Sequence, residues 1–195
     1  MNKIPRIAIF ASGSGSNAQS IAEYFESTGL LEISAIYCNN PDAFVLKRAN
    51  SLEIPSILFN RDTFYKSIAI LEDLKSRETD WIILAGFLWL IPDYILQAFP
   101  QRIINIHPAL LPKYGGKGMY GMKVHEAVIA SGDPESGITI HFVNEHYDEG
   151  DIIFQAQCVI EQNDTSEMLA AKIHELEYEH FPAVIGKLVA GIDKS

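Results

Sequence analysis

Asn105 and His107 stand two residues apart in INIHPALLP, an aliphatic stretch broken only by this amide and this imidazole. Side chains alternate along a strand, so positions 105 and 107 face one side. Pro108 holds His107 towards extended backbone. A histidine so restrained exchanges protons near neutral pH, and a neighbouring amide can donate to an oxygen that gains negative charge. Downstream, NEHYDEGDI carries Glu145, Asp148, Glu149 and Asp151 around Gly150. One carboxylate folding back to the histidine would favour imidazolium and raise its pKa. Spacing does not single out which, and a solvated turn is the competing reading. A buried Asn–His pair that serves only strand-end backbone groups competes with the catalytic reading of 105 and 107.

Near the N-terminus, ASGSGSNAQS places Gly13 and Gly15 in a turn with Ser14, Ser16 and Asn17. Backbone N–H groups exposed there, ahead of a helix, favour an anion such as a phosphate. The loop also reads as GxGxxA with Ala18 third, a dinucleotide pattern. The acidic residue such a site expects after the second strand is absent, where the chain reads Tyr37-Cys38-Asn39-Asn40. No GK[ST] follows, so it is not a P-loop. A turn that merely joins strand to helix remains the plain alternative. Of the other histidines, His141 reads as a hydrogen-bonded strand residue, His125 as part of a helix, and His174 and His180 as decoration of the last helix. With His146 they show no zinc spacing, and no metal is expected.

These groups need a scaffold that brings strand ends together. Apolar runs at residues 6–10, 33–38, 56–59, 81–86 and 102–107 alternate with helical patterns at 17–27, from 39–42 onward, and at 61–76. That βαβα rhythm predicts a Rossmann-like α/β fold: an open, mostly parallel sheet with helices on both faces. Runs at 137–143 and 151–160 lie too close for a helical crossover and predict an antiparallel C-terminal strand pair. Asp164, with Glu167 three residues on, predicts the cap of a last helix over 165–190, which Pro182 should kink or interrupt.

The chain has 195 residues, 48% of them hydrophobic, and no linker is evident, so residues 1–195 read as one domain. A net charge of −10 argues against nucleic acid as the main partner. The N-terminal apolar run is too short for a signal peptide or membrane span, and no membrane partner is expected. The two cysteines, Cys38 and Cys158, are far apart and suit a reduced, cytoplasmic protein.

Four segments in order, SGSGSN, LAGFLWLI, INIHPALLPKY and HFVNEHYDEGDII, resemble the folate formyltransferase superfamily, and the serine-glycine loop narrows this to its phosphoribosylglycinamide formyltransferase branch. The likeness covers nearly the whole chain. It implies transfer of a formyl group from the co-substrate 10-formyltetrahydrofolate to the amine of glycinamide ribonucleotide, by a monomer or homodimer. By similarity, Asn105, His107 and Asp148 match the catalytic set. Gly15, Ser16 and Asn17 match the phosphate site, and Glu177 with His174 the sugar and amine end. Leu88, Trp89, Leu90, Ile91, Asn105, Asn144 and Tyr147 match the folate pocket, with Arg61 a weaker match. Two departures stand out: Trp89, where relatives often carry a smaller or basic residue, and a glycine-rich loop over 115–122 that reads either as a mobile lid or as a surface loop, with Lys117 available to an anion. The lack of a C-terminal RNA-binding domain argues against a methionyl-tRNA formyltransferase, and the lack of an extra N-terminal domain against a formyltetrahydrofolate deformylase. Outside the class, a nucleotide-binding oxidoreductase explains the glycine loop alone.

Overall fold

A computed structural model describes residues 3–191. Its elements run β1 (Arg6–Ala11), α1 (Ser16–Thr28), β2 (Glu32–Cys38), α2 (Val45–Ser51), β3 (Ser56–Leu58), α3 (Arg61–Lys66), α4 (Ala69–Ser76), β4 (Trp81–Leu84), α5 (Asp93–Ala98), β5 (Ile103–His107), α6 (Met122–Ser131), β6 (Glu135–Phe142), β7 (Ile152–Val159) and α7 (Ser166–Ala190). The seven strands form one sheet in the order β3-β2-β1-β4-β5-β6-β7. β1 to β5 pair in parallel, while β6 runs antiparallel to β5 and β7 antiparallel to β6. The α/β fold and the C-terminal antiparallel pair are as the sequence predicts.

Alternation along β1 explains the two-sided burial. Ile7, Ile9 and Ala11 enter a core with residues of α1, α2, α6 and α7. Ala8 and Phe10 enter a second core on the other face, with Phe64, Leu74 and Ile95 from α3, α4 and α5. Phe10 stacks on Tyr37 at 4.7 Å between ring centroids, and Tyr37 donates its hydroxyl to Asp73. A strand covered on both faces must be apolar throughout, and that is why the parallel strands read as unbroken runs.

The strand order reverses direction of growth at β1, which lies between β2 and β4. In open α/β sheets ligands bind beyond the carboxyl ends at such a switch point. The loops after β1 and β4 are tied together there: Ser12 N–H donates to the Gly86 carbonyl at 3.0 Å, and Leu88 N–H donates to Ser12 Oγ at 3.1 Å.

Several boundaries differ from expectation. The single helix expected over 61–76 is two, α3 and α4, because Ser67 is extended (φ −141°, ψ 166°) and its hydroxyl bonds the Thr63 carbonyl and the Ala69 N–H in place of the helical ladder. Asn40 begins an Asx turn by accepting from Asp42 N–H, so α2 starts only at Val45. β4 stops at Leu84, and Gly86 turns the chain at φ 74°. Thr165, rather than Asp164, caps α7 by accepting from Met168 N–H. Asp164 instead accepts from Glu161 N–H and Lys172 Nζ. Pro182 does not interrupt α7, whose flanks Phe181, Val184 and Ile185 are buried against the core and hold the helix across the lost donor. No helix among the described residues is long and apolar enough to cross a membrane.

Candidate active site

A cleft of about 510 Å³ opens over the carboxyl ends of β1, β4 and β5. One end is formed by residues 13–17, the other by Asn105, His107 and Asp148, with His125, His174 and Glu177 along its side.

The glycine loop is shaped by its neighbours. Gly15 caps α1 at φ 74°, ψ 21°, and no side chain occupies the cap. A Cβ on Gly15 would lie 2.3 Å from Val45 Cγ2. Val45 N–H also donates to the Gly13 carbonyl at 3.1 Å, and Arg48 Nε donates to the Ser14 carbonyl at 2.9 Å. α2 therefore clamps the loop from outside while the first turn of α1, free of acidic residues, keeps its N–H groups uncapped. A helix start of this kind can receive an anion. Sequence reasoning missed Arg48, which also lies 5.0 Å over the Phe44 ring. Asn40, at the position where a dinucleotide site wants an acid, reaches back to the Ser12 carbonyl instead. Asn17 donates through Nδ2 to Glu177 Oε2 at 2.9 Å, and His174 Nδ1 lies 3.0 Å from the same oxygen. This joins the loop to α7. The hydrogen bond to Glu177 raises the His174 pKa against the opposing effect of burial.

At the other end β5 sits between β4 and β6, with Asn105 opposite Leu84 and His141. Asn105 Nδ2 lies 3.0 Å from His141 Nε2 and 3.4 Å from Asp148 Oδ1. His141 Nδ1 lies 2.8 Å from the Phe142 carbonyl, so it carries the proton and leaves Nε2 to accept from the amide. His107 is 3% exposed. Its Nε2 donates to the Tyr114 carbonyl at 2.7 Å, and its Nδ1 lies 3.5 Å from Asp148 Oδ2. Gly116 N–H donates to that same oxygen at 2.9 Å. Asp148 thus gathers two imidazoles, an amide and a backbone N–H. Burial works to raise its pKa, yet the nearby His141 and His107 rings and the Gly116 N–H outweigh it and hold the carboxyl below the usual range. For His107 the balance runs the other way: burial lowers the pKa, and the opposing pull of Asp148 and the Tyr114 carbonyl does not overcome it. Asp148 does pull the histidine pKa up, as expected of a carboxylate, but dehydration of the ring outweighs that pull.

The Asp148 backbone explains why this carboxylate, among four in its loop, folds inward. It sits at φ 58°, a left-handed conformation uncommon outside glycine. Gly150 passes so close to Phe142 that a Cβ would overlap the Phe142 carbonyl oxygen. The turn after His107 is fixed by Thr139, fully buried, which accepts from Leu111 N–H and donates to the Ala109 carbonyl. The glycine-rich segment is a wall of the cleft: residues 116–121 line it, and a Cβ on Gly115 would meet Leu111 Cδ2 at 2.5 Å and Asp148 Cβ at 3.3 Å. The loop thus borders the cleft rather than lying apart from it. Lys117 is the one lysine or arginine lining the cleft among the described residues.

The residues matched to folate spread more widely. A narrow slot of about 40 Å³, lined by Trp89, Leu90, Ile91, Val143 and Tyr147, adjoins the main cleft at Asn105 and Asp148. Leu88 lines the main cleft instead. Asn144 lines neither and caps its own loop by accepting from His146 N–H. Arg61 lies outside both, stacked 5.3 Å from the Trp89 ring and 5.3 Å from the Tyr65 ring. The bulky Trp89 is thus partnered by a cation rather than left exposed. His180 packs against Phe154, away from the cleft. Among the described residues no group of three or more His, Cys, Asp or Glu is placed to hold a metal.

Comparison with known proteins adds independent findings. The formyl transferase family model matches residues 5–185. The chain is 42% identical over 188 residues to the chloroplastic phosphoribosylglycinamide formyltransferase of Vigna unguiculata, covering 94% of this chain and 60% of that protein. It therefore spans less than two thirds of that plant relative. It is 37% identical to the phosphoribosylglycinamide formyltransferase of Bacillus subtilis, with 94% of each covered. The solved glycinamide ribonucleotide transformylase 1 of Geobacillus kaustophilus superposes with a TM-score of 0.86 at 35% identity, covering 96% of this chain and 100% of that one.

Proposed function

Because the chain belongs to the formyl transferase family, we propose that it transfers the formyl group of 10-formyltetrahydrofolate to the amine of glycinamide ribonucleotide. The observation that carries this reading is Asp148, whose two carboxylate oxygens reach His107 and Asn105 in a cleft continuous with the uncapped glycine loop.

The substrate phosphate lies on Gly15, Ser16 and Asn17, with Glu177 and His174 beside the sugar. The amine then meets the formyl carbon at Asn105 and His107, and the folate enters past Trp89, Leu90 and Ile91, reaching Tyr147 and the Asn144 loop. Arg61 holds Trp89 at the mouth. As the amine attacks, the carbonyl oxygen becomes negative. Asn105 has two amide hydrogens; the one towards Asp148, at 3.4 Å, makes the weaker bond and is the one to be drawn to that oxygen. The attacking nitrogen must lose a proton, and Asp148, held ionised by its neighbours, accepts it. His107 Nε2 is committed to Tyr114, so Nδ1 is the nitrogen that receives a proton from Asp148. The imidazolium so formed sits beside both the carboxylate and the oxyanion and stabilises the tetrahedral state. Collapse breaks the bond to N10 of the folate, which takes up the proton held on the His107 imidazolium and returns the histidine to its neutral form; the products are the formamide and tetrahydrofolate. A neutral histidine in the free enzyme suits this cycle, because it is ready to accept rather than already charged.

In this reading residues 1–195 form one catalytic domain working in the cytoplasm, as a monomer or homodimer. A steady-state assay with both substrates tests it. Formylglycinamide ribonucleotide should appear with the protein and not with His107→Ala; stabilisation by NAD or NADP, without effect of either substrate, would favour the oxidoreductase alternative.

A further inference from the structure

His125 lies in the first turn of α6 and is 3% exposed, yet its Nδ1 is sealed from solvent with no hydrogen-bond partner. The ring lines the main cleft, near enough to Glu177, His174 and His107 to feel their charges. Asn17 shows the same condition: Nδ2 is committed to Glu177, while Oδ1 is buried and unpartnered. Because a carboxylate only accepts, Asn17 must turn its N–H₂ to Glu177, and its free atom is then an acceptor. Buried polar groups without partners are uncommon in native folds and usually mark a missing ligand or water. Two of them stand beside one buried carboxylate, 5% exposed.

This corner is rich in acceptors. Asn17 offers a carbonyl oxygen, Glu177 a carboxylate, and His125, whose pKa burial and His174 push down, an imidazole nitrogen. A phosphate would be repelled here, and the reacting amine belongs at Asp148. What lies between phosphate and amine in the proposed substrate is a furanose ring, whose vicinal hydroxyls are donors. We infer that His125, with the Asn17 amide oxygen, is a specificity-determining partner of the ribose hydroxyls, selecting a ribosyl over a deoxyribosyl substrate. The inference rests on the proposed reaction. It adds to Glu177 a residue outside the catalytic set, on the helix that follows the glycine-rich loop.

The test crosses a protein change with a substrate change. Wild-type protein is compared with His125→Ala and His125→Gln on glycinamide ribonucleotide and its 2′-deoxy and 3′-deoxy analogues, with melting temperature followed throughout. Wild type should prefer the ribosyl substrate over at least one analogue by about 100-fold or more in kcat/KM. His125→Ala should lose about 10- to 100-fold on the ribosyl substrate, chiefly in KM, while changing little on that analogue; His125→Gln, which keeps a hydrogen-bonding group, should recover part of the preference. Equal losses on all substrates, or a wild type indifferent to both hydroxyls, would overturn the inference. Should His125→Ala not fold, His125→Gln and the wild-type comparison decide it alone. Absence of any wild-type turnover of the ribosyl substrate would instead count against the proposed reaction.

Discussion

Replacing Asp148 by Asn keeps the side-chain shape and removes its charge. In the native site Oδ2 takes the Gly116 N–H at 2.9 Å and faces His107 Nδ1 at 3.5 Å; Oδ1 faces the Asn105 amide at 3.4 Å and His141 at 3.6 Å. An asparagine has one oxygen, so its N–H₂ must point either at the Gly116 donor or at the Asn105 donor. One hydrogen bond becomes a donor–donor clash. The base for the amine proton also disappears, along with the charge that supports the His107 imidazolium. Loss of a positioned base is worth roughly 100- to 10,000-fold, about 3–5 kcal/mol of barrier. We expect Asp148→Asn to lower kcat by at least about 100-fold, with the KM for glycinamide ribonucleotide nearly unchanged because the glycine loop is untouched. The pKa of His107, followed by NMR, should fall further below its ordinary value, since the largest influence opposing burial is gone. A variant with near-normal kcat, or with a His107 pKa that rises, would refute the reasoning.

Gly15→Ala should cost about 1–3 kcal/mol in denaturant unfolding, since the residue sits at φ 74° and its Cβ would press on Val45; its KM for the phosphorylated substrate should rise more than its kcat falls. Thr139→Val strands the Leu111 N–H and the Ala109 carbonyl, so stability should drop by about 1–3 kcal/mol and kcat should fall as the turn after His107 relaxes, as unfolding and rate measurements can show. Stability should decline as pH falls below about 6.5, the ordinary histidine value, because His107 and His125 have lowered folded pKa values and the unfolded chain takes up protons first. Asp148, also lowered, adds to that loss only below the ordinary aspartate range. His174 acts oppositely: its raised pKa gives stability that is present at low pH and fades as pH climbs through it. Melting temperatures across pH, with His174→Ala as comparison, separate the two trends.

The parallel strands were legible because burial on both faces demands unbroken apolar runs, and Asn105 and His107 because two polar groups in such a run need a reason. Spacing alone left Asp148 as one of four acidic residues, and only the family resemblance singled it out; its inward turn depends on a left-handed φ and on Gly150 meeting Phe142, contacts between segments that local spacing does not encode. The partners that set the protonation of the site, the Tyr114 carbonyl and the Gly116 N–H, are backbone groups and carry no side-chain signal at all. Arg48 escaped notice because it acts through a carbonyl 34 residues away in sequence. The break at Ser67 lay hidden because apolar spacing continues across it, while one hydroxyl rewires the local hydrogen bonds.

The central claim is that Asn105, His107 and Asp148 act together on one formyl carbon. Single-turnover transfer from 10-formyltetrahydrofolate to glycinamide ribonucleotide, measured for Asn105→Ala, His107→Ala and the double variant, tests it most directly. The account predicts that each single change slows transfer by about 100-fold or more and that the double variant is scarcely slower than either, as for residues that work as a unit. Rapid transfer by either single variant, or strictly multiplicative losses, would contradict it.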